Sequence, residues 1–133
     1  MPIFEPSQFQ VNEAWIAFKL NDVPVATEAD GDFNVIALMD AASCFILGIE
    51  FVPADAVEPS QLESKRLLLS GQSHHQMYPE KLFVPTNQAA AILSAEAERE
   101  GISVVQVSEA DISEIVREAR EGFKEHVSRG QLQ

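Results

Sequence analysis

Hydrophobic positions in this chain repeat every second residue in its first half and every three to four residues across much of its second. In "EAWIAFKL" (residues 13–20), Ile16, Phe18 and Leu20 alternate with Trp15, Ala17 and Lys19, which predicts a strand. "NDVP" and "EADGD" (28–32) carry turn chemistry, and "VPVATE" between them reads as a short extended arm. "NVIALMDAASCFILGIEFV" (34–52) is the most apolar stretch, rich in Val, Ile and Phe and too long for one strand. It divides at "DAAS", where Asp40 and Ser43 offer side-chain oxygens to local backbone N–H groups. The pattern therefore predicts a hairpin of 33–39 with 44–52, and Gly48 permits a bulge or a close backbone approach in its second strand.

Beyond the hairpin the signals become helical. Pro59, then Ser60 with Glu63 three places later, forms a capping box that opens a helix with an inward stripe of Leu62, Leu69 and Leu67 or Leu68. "KLFVP" (81–85) is a short buried strand. Thr86 is placed to cap a helix with apolar positions Ala89, Ile92, Leu93 and Ala97, which Gly101 terminates. "ISVVQV" (102–107) is a strand, and Ser108 with Glu109 and Asp111 opens a last helix. Its stripe is Ile112, Ile115, Val116, Ala119, Phe123 and Val127. The order β-β-β-α-β-α-β-α predicts a mixed α/β fold: one five-stranded sheet, part antiparallel and part parallel with right-handed crossovers, flanked by helices.

Asp40, Ser43, Ile46 and Gly48 together spell D-x-x-S-x-x-I-x-G, which resembles the second-strand turn of integrase and transposase catalytic cores. "VPADAVEPSQLESKRLLL" is similar to the strand end and first helix there. "YPEKLFVPTNQAAAILSAEAEREGISVV" is similar to their next strand, helix and glycine-isoleucine strand, here Glu100, Gly101 and Ile102. The resemblance spans roughly residues 13–127 and implies an RNase H-like fold, as a degenerate relative of those cores. The family holds divalent metals with three carboxylates, because hard cations take oxygen ligands and two metals stabilise both oxygens of a phosphoryl transfer. At the matching positions stand Phe18, three places after Trp15, and Thr86, Asn87 and Gln88 in place of Asp-Asn-Gly. Only the last helix keeps acids, Glu114 and Glu118.

Length and charge narrow the function. With 133 residues, 46% hydrophobic and 23% charged, the chain suits a single domain (1–133, core about 13–127). Net charge is −12; residues 1–64 hold eleven acids and one base, Lys19, so this half alone carries −10. Such a field repels nucleic acid and favours a protein partner with a basic surface. A homodimer through an edge strand is the other partner the architecture predicts. Two carboxylates within 34–52 argue against a membrane span. "MPIFEPSQFQ" has no signal-peptide pattern and Cys44 is the only cysteine, which predicts a bacterial-type cytoplasmic setting.

Two functions follow. The first is a non-catalytic protein-binding or scaffolding module without a cofactor, in which Asp40, Ser43 and Gly48 shape the hairpin. The second is a Mg²⁺- or Mn²⁺-dependent nuclease or hydrolase, with Asp40 as primary ligand joined by Glu50 or Asp55. Other candidates carry less. His74 and His75 are adjacent rather than four apart and read as solvated loop residues. His126 suits the end of a helix dipole, and Cys44 reads as a small buried hydrophobe. "EADGD" lacks the spacing of a calcium loop and reads as a hairpin turn, and no glycine-rich phosphate loop is present.

Overall fold

The computed structural model describes residues 4–27 and 31–128. Strands β1 (Ala14–Lys19), β2 (Val25–Thr27), β3 (Gly31–Asp40), β4 (Ile46–Pro53), β5 (Lys81–Pro85) and β6 (Ser103–Val107) form one mixed sheet. Helices α1 (Gln61–His75) and α2 (Ala91–Arg99) follow β4 and β5, and α3 (Glu109–Ile112) and α4 (Arg117–Ser128) follow β6. β1 pairs antiparallel with β3 and parallel with β5, and β6 extends the parallel side. β4 pairs antiparallel with β3 on the other side.

The expected extended arm is a sixth strand. β1 and β2 share one side of β3, interrupted at Asn21 to Pro24. Asn21 is buried and bridges the gap: its Oδ1 accepts from Val35 N at 2.7 Å, while its Nδ2 donates to Val23 O and Asn34 Oδ1. A side-chain amide thus stands in for the missing ladder partner and satisfies Val35 N and Val23 O. The "EADGD" turn falls largely on residues 28–30, outside the described residues. Gly31 follows it at φ 80° and opens β3.

Ala14 to Phe18 are fully buried because β1 is covered on both faces, which explains its unbroken apolar composition. Trp15, Ala17, Leu38 and Leu82 face α1 and α2; Ile16, Phe18, Met39 and Phe83 face Ile112, Ile115 and Val116. Phe4 and Phe9 close the second side by stacking around Phe83.

Three helices differ from the sequence reading. The inward face of α1 is Ser64, Leu67, Leu68 and Gly71, whereas Leu62 and Leu69 are more than half exposed. Small residues face inward because α1 crosses the sheet closely: a Cβ on Gly71 would sit 2.7 Å from Trp15 and 2.8 Å from Leu38. Thr86 does not cap α2. Its N–H continues the sheet to Val107 O, and α2 starts at Ala91, where Glu58 Oε1 accepts from Ile92 N at 2.6 Å. The last helix is broken between Ile112 and Arg117, and this bend buries Ile112, Ile115 and Val116 together. Their β-branched side chains also favour helix only weakly.

The capping box at Ser60 and Glu63 is present as read, with reciprocal bonds of 2.8 and 3.1 Å. Gly71→Ala should lower unfolding stability by about 1–3 kcal/mol through overpacking against Trp15, despite the gain in helix propensity. Ser64→Ala should keep or raise stability by up to ~1 kcal/mol, since the buried Ser64 hydroxyl has no hydrogen-bond partner. Urea titrations of both variants check the opposite signs.

Candidate functional site

Asp40 lies at the end of β3, 1% exposed, and its carboxylate is occupied by N–H and O–H donors. Oδ1 accepts from Asn12 N at 2.7 Å; Oδ2 accepts from Ser43 N and Ser43 Oγ, both at 2.8 Å. The Asp40 backbone closes the hairpin through Cys44 N to Asp40 O and Asp40 N to Phe45 O. Cys44 takes φ 60° to complete the corner. Asn12, also left-handed at φ 65°, receives the Trp15 indole N–H at 2.8 Å and donates to Met77 O. Asp40 is therefore the centre of a network joining the approach to β1, the β3–β4 corner and the end of α1.

The register separates Asp40 from its proposed co-ligands. Glu50 stands opposite Ile36, four residues from Asp40 and so roughly 13 Å along the strand. It bonds Arg66 on α1 at 2.8 Å. Asp55 lies beyond Pro53, which pairs with Phe33, and is further away still. Gly48 sits at the register shift in β4, where Ser70 approaches so closely that a Cβ would be 2.6 Å from its Oγ. Among the described residues, no group of three or more His, Cys, Asp or Glu side chains is placed to hold a metal ion.

At the opposite end of β1, a cleft of about 480 Å³ opens beyond the carboxyl ends of β1 and β5. The chain leaves β1 toward β3 on one side, and β5 leads toward β6 on the other; such a switch point is where open α/β sheets place ligands. Lys19, Asn21, Glu58, Asn87, Gln88, Glu109 and Arg120 are among the lining residues. Arg120 from α4 binds Glu109 from α3 in a bidentate pair at 2.5 and 3.2 Å. It also donates from Nε to Lys19 O, and its guanidinium lies 5.5 Å from the Phe18 ring centroid. Gln88 Nε2 is shielded from water without a hydrogen-bond partner in the structure.

Phe18 is thus buried beneath a fixed cation where the resemblance expects a metal-binding carboxylate. Glu114 and Glu118 are not in the cleft; both are exposed, and Glu114 pairs with Arg117. A phenyl ring and a guanidinium do not fit a divalent cation at this place. The sequence places Glu109 only at a helix start and gives Arg120 no role, because their pairing is across two helices; the signal available was an arginine next to Ala119 on the inward stripe.

His74 and His75 end α1 rather than lying in a loop. His74 Nε2 is 3.1 Å from Leu47 O, its ring packed against Phe45 at 5.2 Å, and Ser70 donates to the same carbonyl. Burial, followed by the charges of Glu118 and Asp40, raises the Cys44 thiol above its ordinary pKa, which weakens it as a nucleophile at neutral pH. No helix among the described residues is long and apolar enough to cross a membrane.

No protein-family model matches the chain, and no curated protein matches it. Solved structures do. The HTLV-2 integrase catalytic core domain in complex with magnesium, in its dimeric form, aligns at TM-score 0.61 and 10% identity over 92% of this chain and 74% of that one. The trimeric form aligns at TM-score 0.61 and 10% identity over 91% and 72%. A simian T-cell lymphotropic virus intasome in complex with PP2A regulatory subunit B56 gamma aligns at TM-score 0.55 and 11% identity over 88% and 42%. The chain has the RNase H-like fold of integrase catalytic cores.

Two measurements follow from the corner. Asp40→Ala should cost roughly 2–4 kcal/mol of stability by stranding the Asn12 and Ser43 donors; Asp40→Asn, which keeps one acceptor oxygen, should cost about half as much. Denaturant unfolding ranks the two. Cys44 should react slowly with a disulfide reagent at pH 7. Its rate should rise through a higher pH range than that of a free thiol, because raising the pKa shifts thiolate formation upward.

Proposed function

We propose that this chain is a non-catalytic RNase H-like domain acting as a binding or scaffolding module for a protein with a basic surface. The observation that carries the reading is Phe18 under the Arg120–Glu109 pair. A fixed guanidinium at the carboxyl end of β1 opposes a divalent cation there, and the phenyl ring offers it no oxygen. The −10 carried by residues 1–64 supports a cationic partner, since long-range attraction raises encounter rates and selects by sign. A reducing, cytoplasmic setting belongs to the same proposal.

Self-association is the second form of this reading. It is supported by the HTLV-2 integrase cores, which are described in dimeric and trimeric forms. A nuclease or hydrolase built on Asp40 would instead have to free oxygens that Asn12 and Ser43 already hold.

Thermal melts with and without millimolar Mg²⁺ or Mn²⁺ separate the classes. A native-state metal site present at a hundred times its Kd would add about 2.7 kcal/mol and raise the midpoint. No rise is expected; a clear rise that Asp40→Asn removes would return the protein to the metalloenzymes. Poly-lysine should bind with an association rate that falls as salt is added. Failure to bind it would remove the basic-partner reading.

A further inference from the structure

β4 is an edge strand that little defends. Among the described residues it pairs only with β3, leaving the backbone groups on its outer side without a strand. Edge strands are commonly protected by lysines, prolines, bulges or inward charges. β4 has a bulge near Gly48 and a proline at its last position, Pro53, so 49–52 is a plain stretch of edge. Its one charge, Glu50, is held by Arg66 from α1.

The exposed side of that stretch is apolar. Ile49 is 43% exposed and Phe51 45% exposed. They pair with Ala37 and Val35, so both project on the face away from α1, and Phe33 packs edge-on against Phe51 at 6.3 Å. Apolar side chains two residues apart, beside an open line of backbone, are what an added extended segment recognises: main-chain bonds supply affinity and alternate side chains supply specificity.

Charge selects the occupant. A second copy would bring another −12 to the edge, whereas the acidic half that contains β4 attracts a cation. Asp55 is exposed just past Pro53, and Asp32 precedes Phe33, which is paired with Pro53. We infer that β4 is a docking strand for an extended segment of a partner protein, apolar at alternate positions and carrying Lys or Arg between them. This rests on the binding-module reading and names its surface.

The probe is a fluorescent eight-residue peptide alternating lysine and valine, compared by anisotropy with a peptide of the same composition whose valines are contiguous. The alternating peptide should bind about tenfold more tightly, and Ile49→Thr with Phe51→Thr should remove about tenfold of its affinity. Leu69→Thr, an exposed apolar change on α1, should leave binding unchanged. In the unaltered protein, hydrogen exchange across 46–53 should slow when the peptide is added.

Equal binding of both peptides, or exchange in 46–53 that the peptide leaves unchanged, would overturn the edge assignment. If poly-lysine still bound, the basic-partner reading would survive that result; if no cationic probe bound, both would fall. A dimer by sedimentation that the Ile49 and Phe51 substitutions dissolve would give the edge to a second copy and overturn the proposal as well.

Discussion

Burying Trp15 constrains more of this protein than any other single requirement. Its ring is fully enclosed, and α1 passes so close above it that Gly71 leaves no room for a methyl group. An enclosed indole N–H needs an acceptor, which here is Asn12 Oδ1. To reach it, Asn12 adopts a left-handed backbone, and its own N–H then points to Asp40. Asp40 uses its second oxygen to fold the corner at Ser43. The buried carboxylate is a consequence of packing a large aromatic in the central strand.

The other end of β1 answers a different demand. Phe18 fills the opposite face of the sheet, and Arg120 spans from α4 across its ring to the Lys19 carbonyl. A guanidinium there needs an anion, which Glu109 supplies from the next helix back. The sheet thus ends in two separate polar networks, one centred on a carboxylate and one on a cation. Since they lie at opposite ends of β1, no small motion brings Asp40 to the cleft. Any ligand in the cleft meets Lys19, Gln88 and the edge of an ion pair instead.

What the sequence disclosed was mainly local. The apolar β1 run, the Ser60–Glu63 capping box and the D-x-x-S corner each depend on residues within a few positions, so their chemistry can be read directly. The α1 face could not be read this way, because its inward positions are Ser64 and Gly71, which hydropathy scores as polar or loop-forming. Their small size is what the close crossing selects. The α2 cap comes from Glu58, 34 residues before the amide it receives, and Arg120 bonds a carbonyl 101 residues away. Such contacts have no period. At the cleft beyond β1 and β5 the sequence showed only Phe18 and Thr86 where the resemblance expects acids; the meeting of Arg120 with Glu109 and Phe18 required the fold.

The Arg120–Glu109 pair closes one end of β1, and β4 offers a different kind of surface. α1 grips β4 from one face through Ser70, His74 and Arg66, two of them on the Leu47 carbonyl and one on Glu50. Those contacts tie the strand to α1 and engage its only charge. The opposite face leaves Ile49 and Phe51 partly exposed, where burying their remaining apolar surface would contribute about 25 cal/mol per Å². Between 49 and 52 the one charge of the strand is thus already paired. The surface most ready to gain contacts is therefore the outer line of the hairpin, on the far side of β3 from β1.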